Sequence, residues 1–78
     1  SNRFEALENY LPYVESQLNK GARLSHITRH LLGMFVGLPG GKQFRRHLSE
    51  NGHHAHATID VLIDAIEGVK QQLSKTKG

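Results

Sequence analysis

Thr58-Ile59-Asp60-Val61-Leu62-Ile63-Asp64-Ala65-Ile66-Glu67-Gly68-Val69-Lys70-Gln71-Gln72-Leu73-Ser74 is the stretch from which the fold is read. Ile59, Leu62, Ile63, Ile66, Val69 and Leu73 recur every three or four residues, which stacks them along one side of an α-helix. Thr58 can cap its start, with Asp60 and Asp64 near that end and Lys70 and Lys75 near the other, as the helix dipole favours. Gly68 weakens the helix and is expected to mark close packing against a neighbour. Residues 75–78 are expected to fray. A helix with one apolar stripe has to bury it, so the remainder of the chain should supply further helices.

It does, reading upstream. A short third helix is expected from Gly41 to Glu50, with Phe44 and Leu48 as its buried edge. Lys42, Arg46 and Ser49 project from its opposite face, Arg45 lies between the two, and Asn51-Gly52 ends it. Before it, Gly37-Leu38-Pro39-Gly40-Gly41 turns the chain. A second helix is expected from Ser25, as N-cap, to Val36, with Leu24, Ile27, Leu31, Met34 and Phe35 on its apolar side and His26, Arg29 and Gly33 opposite. A first helix is expected from Arg3 to Lys20, carrying Phe4, Leu7, Leu11, Val14 and Leu18 and stopping at Gly21. Pro12 inside it predicts a kink, or a helix that starts only near Leu11. No segment alternates with the period of two that a strand requires. The expected fold is all-α, a small four-helix bundle in a single domain over residues 1–78.

With 78 residues the chain can build one modest core. A domain this small buries only about 60% of the surface its unfolded form exposes. The chain contains no cysteine, which excludes disulfides and thiolate ligands. It has no apolar run approaching the ~18 residues of a membrane span, and no charged and then apolar opening of the signal-peptide kind. It begins Ser-Asn rather than with Met, which points to a piece cut from a longer protein. A cytoplasmic setting is expected.

Charge is distributed unevenly. The formal net charge is +3, yet Lys20, Arg23, Arg29, Lys42, Arg45 and Arg46 all fall in a window without a single Asp or Glu, between Glu15 and Glu50. A block of one sign between weakly acidic ends suits a polyanionic partner. Arginine grips phosphate with planar, paired donors, and lysine adds a point charge. Other chemistry fares worse. His26 and His30 have the i, i+4 spacing of a zinc helix, but the base glutamate is missing and Arg29 would repel a cation, so no metal site is assigned even with His53, His54 and His56 nearby. Gly37 to Gln43 misses the P-loop spacing and its magnesium-binding hydroxyl, and follows a helix instead of a strand. The start of the third helix can still meet a backbone phosphate. No nucleophile and base are placed together, so no catalytic residue is assigned.

The run His26-Ile27-Thr28-Arg29-His30-Leu31-Leu32-Gly33-Met34-Phe35, then Gly37-Leu38-Pro39-Gly40, then Phe44-Arg45-Arg46-His47-Leu48-Ser49-Glu50-Asn51, resembles the C-terminal end of bacterial tRNA-dihydrouridine synthases, the D-loop 20/20a subfamily. The likeness covers about residues 10 to 70. It implies a parent enzyme with a TIM-like barrel that binds FMN, uses NADPH and carries a catalytic cysteine. None of those parts is expected in this chain, which has neither the cysteine nor a cofactor site. The resemblance also implies that the small helical domain following the barrel helps to hold the tRNA. Carried over by position, Arg29, Arg45 and Arg46 match the family's basic residues, and Lys42 stands where an arginine is usual. Phe44 replaces a tryptophan and Gly41 an alanine, the second of which is expected to loosen the start of the third helix. The expected partners are tRNA and the parent's barrel, with no membrane.

Two other readings compete. A helix-turn-helix DNA module would use the second and third helices, but the long Gly-Pro-Gly-Gly turn and a third helix short of Asn or Gln for base edges oppose it, so DNA is not expected. A protein-interaction bundle is the other, and some surface must meet the barrel in any case.

Overall fold

The computed structural model describes residues 2–54 and 56–77, and these form four helices and no strand: α1 (Asn2–Asn19), α2 (Leu24–Thr28), α3 (Gly41–Asn51) and α4 (Ile59–Lys77). The all-α bundle read from the sequence is the observed architecture.

Helix α4 is the central member, packed on α3 along one side and on α1 along the other. Its stripe supplies Leu62, Ala65, Ile66 and Val69 to the core, while Ile63 sits at the edge with 36% of its surface exposed. Thr58 Oγ1 accepts a hydrogen bond from the Asp60 amide at 3.3 Å, as its capping role requires. The helix continues through Lys77. Gly78 lies outside the described residues, as does Ala55 of the loop after α3.

Helix α1 runs unbroken from Asn2, which overturns a start near Leu11. Pro12 is exposed, so the carbonyl it leaves unpaired one turn earlier can turn to water. Leu7 and Val14 are buried. Gly21 closes the helix in the left-handed region at φ 98. Its amide donates to the Leu18 carbonyl and that of Ala22 to the Gln17 carbonyl, both at 3.0 Å, the paired bonds of a Schellman stop.

The second helix differs from the sequence reading. It covers only Leu24–Thr28, and its N-cap is Arg23, in extended backbone, with no side-chain cap bond. Ser25 lies inside the helix. From Thr28 onward the chain proceeds by i→i+3 turns: Leu31 to Thr28 at 2.7 Å, Met34 to Leu31 at 2.9 Å, Val36 to Gly33 at 3.2 Å and Leu38 to Phe35 at 3.0 Å. This tighter winding delivers Phe35, 0% exposed, to the centre of the molecule. There it stacks on Phe4 of α1 at 5.1 Å and meets Phe44 of α3 edge-on at 4.8 Å. Three rings thus tie α1, the turn segment and α3 together.

Helix α3 begins at Gly41 itself, buried against the Phe35 carbonyl. The start is therefore pinned rather than loosened. A methyl at Gly41 would overlap that carbonyl oxygen, so the alanine expected from the family pattern needs the preceding turn to move.

Candidate nucleic-acid interface

Helix α3 buries Gly41, Phe44 and Leu48 against the rest of the molecule. At about 100° per residue this leaves Lys42 and Arg46 opposite the buried side and Arg45 on its flank, and all three are exposed. Lys42 stands one turn before both arginines. The helix starts at Gly40, which adopts φ 86 and makes no side-chain cap bond, so the first-turn amides beside Lys42 have no side-chain acceptor. Cationic side chains and an uncapped helix start therefore share one end of α3.

The three residues are not equivalent. Arg46 Nε donates to Glu50 Oε2 at 2.9 Å, one turn along the same helix. That hydrogen bond, then the nearby charge, raises the Arg46 pKa above its ordinary value. Arg46 also lines a cleft of about 310 Å³ between α3 and α4, together with Glu50 and Asp64. Lys42 and Arg45 make no ion pair among the described residues. Arg29, the C-cap of α2, is exposed as well, but no hydrogen bond or ion pair links it to α3. The structure thus brings Lys42, Arg45 and Arg46 onto one helix and places Arg29 on a separate segment. Glu50 as the partner of Arg46 went unread in the sequence, although its i, i+4 spacing was a usable signal.

The histidines form no metal centre among the described residues. His26 and His30 are exposed. His47 is held by Asn51, whose Nδ2 lies 3.0 Å from its carbonyl and 3.3 Å from its Nδ1. His53 Nδ1 lies 3.1 Å from the Ser49 carbonyl, and its ring packs on His54 at 4.4 Å.

Comparison with known proteins settles the family. The sequence model of the family described as Dihydrouridine synthase (Dus) matches residues 1–72. The chain belongs to the dihydrouridine synthase family. It is 49% identical over 72 residues to the tRNA-dihydrouridine(20/20a) synthase of Vibrio parahaemolyticus, covering 92% of this chain and 22% of that protein. The synthase of the same description from Yersinia pestis is 46% identical over 74 residues, 95% of this chain and 21% of the relative. That of Escherichia coli is 55% identical over 56 residues, 72% of this chain and 16% of the relative. The chain therefore spans about a fifth of the length of the curated relatives it matches. No solved structure matches it. Among the described residues no helix is long and apolar enough to cross a membrane.

Proposed function

We propose that this chain is the tRNA-binding accessory part of a cytoplasmic, FMN-dependent tRNA-dihydrouridine synthase. It holds the folded RNA while a catalytic barrel elsewhere in the parent protein reduces D-loop uridines with NADPH. The observation that carries the reading is the pair Lys42 and Arg45, exposed on α3 and without ion-pair partners among the described residues, inside the acid-free stretch of the sequence. Arg46 and Arg29 extend the positive surface on either flank. Such a patch meets phosphates rather than bases, and double-stranded RNA is recognised mainly through shape and backbone. Alone, a patch of three or four charges binds weakly, with Kd on the order of 10⁻⁴ to 10⁻⁶ M, and gains through effective concentration when joined to a second RNA-binding surface. Titrating tRNA against wild type and the Lys42→Ala, Arg45→Ala double variant at several salt concentrations tests this reading.

The same reading assigns no flavin chemistry to these residues. The clefts described on the surface are lined by Glu50 and Asp64, by Glu15, and by Glu8 and Glu67. The one arginine among them, Arg46, is already paired with Glu50. Beyond Arg46, those linings offer no arginine or lysine to receive the phosphate of FMN. The purified chain is expected to be colourless and to leave FMN fluorescence unchanged on titration. Saturable quenching contradicts this.

A further inference from the structure

Gly68 lies in the interior of α4, where glycine is less favourable than alanine because it leaves more backbone freedom to be lost. Its backbone is not in the left-handed region. The sequence led us to expect close packing against a neighbour there, but a methyl at Gly68 would meet nothing within 4 Å. No packing within the chain requires the glycine. Gly68 lines the groove of about 310 Å³ between α3 and α4, together with Phe44 and Ala65.

The groove's rim is charged. Arg46 and Glu50 neutralise each other across 2.9 Å. Asp64, exposed on the α4 side, makes no ion pair among the described residues. Gln43 and His47, whose ring lies beside Asn51, complete the lining, so Asp64 is the carboxylate of the rim left without an ion-pair partner among the described residues. An RNA backbone is repelled by that arrangement, whereas a polypeptide bearing a lysine or arginine is attracted. The curated relatives devote about four-fifths of their length to residues outside the matched stretch, so a protein of their size has ample chain to lay against this face.

We infer that the α3/α4 groove over Gly68 seats a segment of the remaining parent polypeptide through a basic side chain that pairs with Asp64. The close approach needs the missing Cβ at position 68. The seat also divides the basic residues. Arg46, paired with Glu50, stands at the boundary between the groove and the RNA patch, while Lys42 and Arg45 lie outside the groove. The inference rests on the chain being part of a longer protein and is independent of RNA binding.

Amide hydrogen exchange without RNA tests it, comparing the 78-residue chain with the full-length parent and using α1 amides as the internal reference. In the full-length protein, exchange of the Ala65 to Gln71 amides is expected to slow by roughly tenfold relative to that reference. Asp64→Lys removes this protection. Asp60→Lys, an exposed acid outside the groove, retains it. Asp64 is exposed, so its substitution leaves the fold intact, and Gly68→Leu provides a second, steric block. Equal exchange in the two proteins overturns the inference. So does protection that survives both Asp64→Lys and Gly68→Leu, that appears only when tRNA is added, or that grows with protein concentration as a second copy would cause. The Lys42, Arg45 tRNA titration reads a different face, so failure of one proposal leaves the other standing.

Discussion

Two glycines near the α3/α4 pair show that a residue's neighbours decide what its substitution does. Gly52 follows α3 with φ −83 and ψ −13, a backbone any residue adopts. Its need is for space, because an added methyl would sit 2.6 Å from the Leu48 carbonyl oxygen. Gly52→Ala is therefore expected to destabilise the chain by roughly 1–3 kcal/mol through forced displacement. Gly68 has the opposite surroundings, and Gly68→Ala is expected to stabilise by about 0.5–1 kcal/mol, since alanine fits the helix and meets nothing. Urea denaturation of both variants checks the signs, and a destabilised Gly68→Ala removes the assumption that the site is open within the chain. The sequence identified both glycines as breakers but could not separate them, because whether a methyl fits depends on atoms brought close only by folding. Arg46 teaches the same lesson for charge: as a residue type it reads as a phosphate ligand, while its neighbour one turn on, Glu50, already occupies its guanidinium.

At the scale of elements, long stripes with one clean period were legible and the mixed one was not. α1 and α4 follow their apolar spacing, with α4 extending to Lys77. The expected second helix failed beyond Thr28 although Leu31, Met34 and Phe35 keep helical spacing. Packing overrode the pattern: burying Phe35 between Phe4 and Phe44 adds aromatic interactions of about 0.5–1.5 kcal/mol each beyond area alone. Gly33 offers little helix propensity to resist it. Lys70 makes contacts between elements that no local pattern encodes: its Nζ donates to Glu8 Oε2 of α1 at 2.9 Å and sits 5.7 Å from the Phe4 ring centroid, besides lying 3.7 Å from Glu67 one turn back on its own helix. The hydrogen bond to Glu8 raises the Lys70 pKa above its ordinary 10.5. A base whose folded pKa is raised stabilises fully below its unfolded value and loses that contribution as pH climbs through the folded one. Stability should therefore fall in the alkaline range above 10.5. Lys70→Met should lower the thermal midpoint slightly near neutrality, remove this alkaline loss, and differ little from wild type in about 1 M salt, because the pair is exposed and screened. Thermal denaturation followed by circular dichroism, across pH and salt, reads all three.

Over the whole molecule, six of the seven acidic residues lie on α1 and α4, while the six bases between residues 20 and 46 lie on α3 and on the segments flanking α2. The division was visible in the sequence as an acid-free window, and the fold turns it into a molecule with differently charged elements. What the sequence could not show is which bases are free, since that depends on side-chain partners. Among the described residues Lys42 and Arg45 are free of ion pairs and Arg46 is not, which makes unequal effects on RNA binding the sharpest test of the proposed interface. Removing one cation that neutralises a phosphate should flatten the dependence of log K on log salt by roughly 0.7–0.9. Lys42→Ala with Arg45→Ala should therefore flatten it by close to twice that amount and weaken tRNA binding most at low salt. Arg46→Ala should change the slope less, because its guanidinium is already engaged by Glu50. Circular dichroism should show all these variants folded, as the side chains are exposed. If the Lys42, Arg45 double variant in the full-length enzyme keeps both affinity and slope, α3 does not face the RNA, and the positive window has to act through Lys20, Arg23 or Arg29 instead.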